Sequence, residues 1–157
     1  MAGMKKALDK ILGWFCIIIF SFMVLMTTYQ VIVRYVFSNP SALSETLTKY
    51  AFVWLILYSS AYVFGQRDHI SINFVKDKQK ESTKRFLNIF IELIVIIFAC
   101  LVMVYGGIRV SSMNLLQFDS ILNVPTGYIY SAIPISGILI IIYSIYNILI
   151  ELGKEEA

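Results

Sequence analysis

Residues 34–74 read RYVFSNPSALSETLTKYAFVWLILYSSAYVFGQRDHISINF, and this stretch decides the fold. Asn39-Pro40 is a helix start: Asn can cap free N–H groups, and Pro fits the first helical position, where its missing N–H costs nothing. A helix is therefore expected to begin near Pro40. Ser44, Glu45, Thr48 and Lys49 occupy its first turns. There the positive end of the helix dipole favours a carboxylate, and Glu45 can pair with Lys49 at i,i+4. No charge interrupts residues 50–65. A helix from Pro40 to about residue 64 would be about 37 Å long, enough for the hydrocarbon layer plus one interface. It ends abruptly in Gly65-Gln66-Arg67-Asp68-His69. The stretch is a membrane crossing with its entrance and its exit.

Three more apolar runs flank it. Lys5, Lys6 and Lys10 precede the uncharged residues 11–33, and no A-x-A cleavage pattern follows, so the first span is expected to stay in the mature protein. Trp14 near its start and Tyr35 just past its end suit the two interfacial belts. Ser21, Thr28 and Gln30 read as polar side chains bonding to their own or a neighbouring helix. In the second span, Ala61-x-x-x-Gly65 would let another helix approach closely. Residues 86–108 form the third span, interrupted only by Glu92, with Gly106 and Gly107 marking its end or a close contact. Pro125-Thr126-Gly127 precedes the fourth, where Pro134 either kinks the helix or falls in its first turns if it begins late. The tail ELGKEEA is short and acidic. The expected protein is a single transmembrane domain over residues 1–157, all-α and integral to the membrane. Its four transmembrane helices fall at approximately 11–34, 40–65, 86–108 and 128–150.

Composition agrees. Hydrophobic residues make up 59% of the chain and the mean hydropathy is +0.77, above the soluble average because of the long uncharged runs. The net charge of +3 is too small, and too concentrated in loops, for nucleic-acid binding. Three bases lie in the N-terminal segment, six in residues 67–85 and one in the tail, against two and one in the other two connections. By the positive-inside rule both termini are then cytoplasmic, and the basic loop between helices 2 and 3 is a cytoplasmic interfacial segment. Its bases and His69 would face anionic phospholipid. Cys16 and Cys100 fall at different depths of their spans, beyond the roughly 7 Å limit for bridged Cα atoms, and read as small buried hydrophobes. With one histidine in the chain there are no paired axial haem ligands and no usual zinc set, so no cofactor is expected.

Arg34-Tyr35-x-Phe37, Pro40, Ser44-Glu45, Phe52-Val53-Trp54-Leu55, Arg67-x-His69-Ile70 and Asn73 occur in that order, followed by Val124-Pro125 through Tyr130 and Ala132-Ile133-Pro134. In order and spacing the set resembles the DctQ-like small membrane subunit of the TRAP (tripartite ATP-independent periplasmic) transporters, over nearly the whole chain. The family often has two adjacent acids where Ser44-Glu45 stands, and an Asp where Asn73 stands. The resemblance implies a bacterial inner-membrane scaffold for a large multi-span subunit. That partner would carry an organic acid, such as sialic acid or a C4-dicarboxylate, with sodium in an elevator motion, and a periplasmic substrate-binding protein would deliver it.

Little in the sequence could carry chemistry on its own: it has no phosphate loop, no nucleophile-base-acid set and no run of membrane carboxylates. An enzyme is therefore not expected. Arg34, Glu45 and Glu92 are the ionisable residues closest to the apolar layer, where a charge needs a partner. Arg34 and Glu45, at the same depth on either side of a short connection, are expected to form an ion pair. Together with Tyr35, Pro40, Trp54, His69 and Pro134 these three make up the candidate interface and structural positions. The alternative to an accessory subunit is a self-contained homo-oligomeric transporter or channel, which would show polar stripes through several spans.

Overall fold

The computed structural model describes residues 2–66 and 81–153. They form α1 (Ala2–Val36), α2 (Ala42–Gly65) and α3 (Glu81–Phe98), which runs through a π-helical segment (Ala99–Gly106) into α4 (Gly107–Met113). A short α5 (Gly127–Tyr130) and α6 (Ala132–Gly153) complete the chain. No strand occurs among the described residues, where strand-like pairing is confined to one bridge between Phe118 and Pro125. Among the described residues, four segments are long and apolar enough to cross a membrane: Lys5–Val36, Ala42–Gly65, Phe86–Met113 and Gly127–Leu152. The chain is an all-α integral membrane protein with four transmembrane helices.

The turn between α1 and α2 differs in detail from the sequence reading. Ser38 adopts a left-handed conformation (φ 51°) and the Asn39 N–H bonds back to the Val33 carbonyl at 3.2 Å, which closes α1. The cap of α2 is then Ser41 rather than Asn39: its hydroxyl accepts from the Ser44 N–H at 3.4 Å, and the Ser44 hydroxyl donates to the Ser41 carbonyl at 2.9 Å. Asn39 is already engaged in closing α1, so the next good capping residue after Pro40 takes over.

The third span outlasts its expected end. Both glycines keep helical geometry, and the helix continues to Met113. Gly107 is a close contact: a Cβ there would lie 2.8 Å from Cδ of Pro134, whereas Gly106 meets only the Leu101 carbonyl at 3.7 Å. The π-helical turns of Ala99–Gly106 had no signal in the sequence.

The fourth span begins with a break. Ser131 separates α5 from α6, and Pro134 falls in the first turn of α6, where a backbone N–H has no intrahelical partner to lose. Of the two readings of Pro134, the structure takes the second: the helix begins late and the proline falls within its first turn.

α6 is the axis of the bundle, with 39% of its most apolar stretch buried against 6% for α1 and 11% each for α2 and the third span. In lipid, burying apolar surface yields little, so helices associate through close packing and polar contacts. Both are present. Leu12, Tyr58 and Tyr143 join α1, α2 and α6 in one cluster, with Phe15 edge-on to Tyr58 at 5.0 Å. Ala61, Ala99 and Ile140 join α2, the π-helical segment and α6 in a second. The small residues set the approach: a Cβ on Gly65 would stand 2.5 Å from the Tyr143 ring, and one on Gly137 would stand 2.7 Å from Cβ of Met103. The helix that meets Ala61-x-x-x-Gly65 is thus α6 of the same chain.

Candidate functional site: a polar seam along the fourth span

Asn88 and Glu92 stand one turn apart on one face of α3, and Asn147 and Glu151 stand one turn apart on α6. Because the two helices run antiparallel, the pairs meet rung by rung. The Asn147 amide donates to Glu92 Oε1 at 2.9 Å, and the Asn88 amide donates to Glu151 Oε1 at 3.2 Å. Glu92, Asn147 and Glu151 are all buried, at 8%, 1% and 6% exposure. Each bond is charge-assisted when the carboxylate is ionised, and roughly twice as strong as one between neutral groups. Glu92 Oε2, Asn88 Oδ1 and the Ser144 hydroxyl have no hydrogen-bond partner among the described residues. A buried carboxylate so held is costly to disturb, because removing one partner leaves the other desolvated. The seam therefore fixes the register of α3 on α6.

A second polar contact ties α1 to the same helix. The Tyr143 hydroxyl donates to Asp9 Oδ1 at 2.6 Å, one turn from Asn147 on α6. Tyr143 also covers Gly65, so a single buried side chain joins α1, α2 and α6.

At the other end of the bundle, the Tyr50 hydroxyl donates to Asp119 Oδ2, linking α2 to the connection before α5. Asp119 Oδ1 accepts from the backbone N–H groups of Ile121 and Leu122, both at 2.9 Å, and Asn123 turns the chain at φ 54°. The Tyr50 hydrogen bond first, and then the Leu122 and Ile121 amides, hold the Asp119 carboxyl below the usual aspartate range.

Of the residues picked out in the sequence, Glu92 lies at the heart of the seam. Pro134 is buried against Gly107, and Trp54 lies half-buried with its ring 5.6 Å from Tyr58. Pro40 precedes the α2 cap. Arg34, Tyr35 and Glu45 are exposed at the α1–α2 turn, and there the expected pairing is replaced. Glu45 pairs with Lys49 at 2.6 Å, whereas the Arg34 guanidinium stands 5.8 Å from the Tyr35 ring centre. One helical turn already presents Lys49 to Glu45, which is shorter than a reach across the turn. Thr28 bonds to the Val24 carbonyl of its own helix at 2.8 Å. His69 and nearly all of the basic loop lie outside the described residues.

Sequence reasoning missed Asp9, Asn88, Tyr143 and Asn147, and it placed Glu151 in the tail rather than in a buried helix face. A signal existed: Ser144, Asn147 and Glu151 follow one another at spacings of three and four, a polar stripe at helical period inside an apolar run.

A family model described as the DctQ component of the tripartite ATP-independent periplasmic transporters matches residues 23–152. A "Putative TRAP transporter small permease protein" of Haemophilus influenzae is 26% identical over 140 residues, covering 89% of this chain and 86% of that protein. The "Sialic acid TRAP transporter small permease protein SiaQ" of Vibrio cholerae is 20% identical over 138 residues, covering 88% and 79%. The "Sialic acid TRAP transporter permease protein SiaT" of Haemophilus influenzae is 28% identical over 111 residues, 70% of this chain but 18% of that protein. The chain belongs to the DctQ family and is a multi-pass protein of the bacterial inner membrane.

Proposed function

From its membership of the DctQ family we propose that the chain is the accessory small subunit of a TRAP transporter, a fixed scaffold that holds a large, elevator-type membrane subunit in the bilayer. The observation that carries this reading is the match to the family over residues 23–152. The geometry supports it, since the buried acids and amides are spent on joining α6 to α1 and α3, and the outward faces of the spans are apolar. A surface of that kind fits packing against another membrane protein rather than conducting solutes. SiaT supplies a second support: the part that aligns with this chain is 18% of that permease, so the rest is covalently joined to it.

In this function the large subunit moves an organic acid, sialic acid or a C4-dicarboxylate, together with sodium, and a periplasmic binding protein delivers it. Both termini of the small subunit are cytoplasmic. Arg34, Tyr35 and the Glu45–Lys49 pair, exposed at the turn between the first two spans, are offered to the partner there. Purified alone into liposomes under an inward sodium gradient, with binding protein and candidate acids, the chain should give no uptake above empty vesicles. Affinity purification from native membrane should recover a large multi-span partner. Uptake by the chain alone, or recovery of a homo-oligomer without such a partner, would favour a self-contained transporter or channel and end the scaffold reading.

A further inference from the structure

A groove of about 270 Å³ runs between the N-terminal turns of α1 and the middle turns of α6. Ala7, Leu8 and Ile11 form one wall and Ile142 and Tyr146 the other, so the lining is apolar along its length. At one end stands Lys5, its ammonium 5.8 Å from the centre of the Tyr146 ring. The nearest acid on α1, Asp9, is bonded to the Tyr143 hydroxyl, and among the described residues no carboxylate forms an ion pair with Lys5. The first turn of α1 carries no acidic residue, so the positive end of its dipole adds to the same field.

We propose that this groove binds one acyl chain of an anionic phospholipid of the cytoplasmic leaflet, with the lipid phosphate on Lys5. The order of residues along α1 carries the assignment. Lys5, Leu8 and Ile11 succeed one another over about 9 Å of helix rise, charge first and apolar after, which is the order of an amphiphile's head and tail. Width separates this occupant from a helix of a partner protein: a helix 10 Å across fills about 400 Å³ per turn, more than the groove holds, whereas the headgroup-proximal segment of a single, narrower acyl chain matches its length and volume. Charge separates anionic from zwitterionic lipid, since a phosphate with no ammonium of its own leaves Lys5 as its counter-ion. The leaflet rests on the cytoplasmic orientation of the N-terminus; the lipid class does not.

The test is native mass spectrometry of the purified chain from mixed micelles of phosphatidylglycerol and phosphatidylcholine in equal amounts. Phosphatidylglycerol should be retained in preference. Lys5→Gln should lower its retention about fivefold, the factor that corresponds to about 1 kcal/mol for one base near an anionic lipid surface. Lys6→Gln, an exposed base outside the groove, should change nothing. Ala7→Trp, which fills the groove from an exposed position, should abolish retention of either lipid. Equal retention of both lipids, equal effects of the two lysine variants, or lipid held by Ala7→Trp would each overturn the proposal. A photo-crosslinking residue at position 7, used in native membranes with the whole transporter present, should capture phospholipid; capture of a membrane polypeptide in its place would assign the groove to the partner. Neither result depends on transport, so failure here leaves the scaffold reading standing.

Discussion

Gly65→Ala adds one methyl group where the structure has no room for it. The new Cβ would lie 2.5, 2.6 and 2.7 Å from three carbons of the Tyr143 ring, against the roughly 3.5–4.0 Å at which carbon atoms attract. About 1 Å of displacement is required. The ring cannot swing away freely, because its hydroxyl is fixed to Asp9 at 2.6 Å and its face belongs to the Leu12–Tyr58 cluster. Overpacking of this kind costs about 1–3 kcal/mol. The helix-propensity gain of alanine over glycine, up to about 1 kcal/mol in a helix interior, is small at the last residue of α2. The net loss is therefore about 1–2 kcal/mol, or about 3–6 °C for a chain of this size. Gly13→Ala is the control: there the new Cβ meets only Cε2 of Tyr62, at an ordinary 3.8 Å, and the position is inside α1. It should be stabilising by about 0.5–1 kcal/mol. The assay is the apparent melting temperature of each purified variant in one detergent. If Gly65→Ala melts at or above the parent chain, or the two substitutions shift the melt in the same direction, the close packing of α2 on Tyr143 is refuted.

Three further outcomes are expected. Asn147→Leu should cost about 3–5 kcal/mol by leaving Glu92 buried without its donor, and Glu92→Leu combined with Asn147→Leu should cost clearly less than the two single changes summed, measured as melting in detergent. Asp119, its carboxyl held below the ordinary range by Tyr50 and two backbone amides, contributes stability that is complete above about pH 4 and lost as the pH falls toward its folded value. Protease sensitivity of the connection should rise on acidification in the parent chain and stay flat in Asp119→Asn. A cysteine placed at Lys78 should react with an impermeant thiol reagent only from the cytoplasmic side, and one at Ser120 only from the periplasmic side; the reverse would invert the proposed orientation.

The number of spans and their approximate places were legible in the sequence because the bilayer imposes a one-dimensional rule: about 20 apolar residues per crossing, with charges outside. The family resemblance, read from strings such as Arg34-Tyr35 and Ala132-Ile133-Pro134, was legible for the same reason, since order and spacing are linear properties. Glu92 could be marked as needing a partner, because a carboxylate in an apolar run is costly wherever the chain takes it. Which partner it takes depends on the antiparallel register of α3 against α6, two segments more than 50 residues apart, and Asn147 comes to it only when that register is set. Glu45 could be offered Arg34 or Lys49 from the sequence alone. The helical turn decided for Lys49, since i and i+4 are neighbours at no further conformational cost. Gly107 could be the end of a helix or a close contact until Pro134 was seen to lie against it. The sequence determined which residues are costly in a membrane, because transfer from water to lipid is a property of each residue and its near neighbours. Only the tertiary structure decided how those costs are met, because hydrogen bonds and steric fit between helices exist only once the helices are side by side.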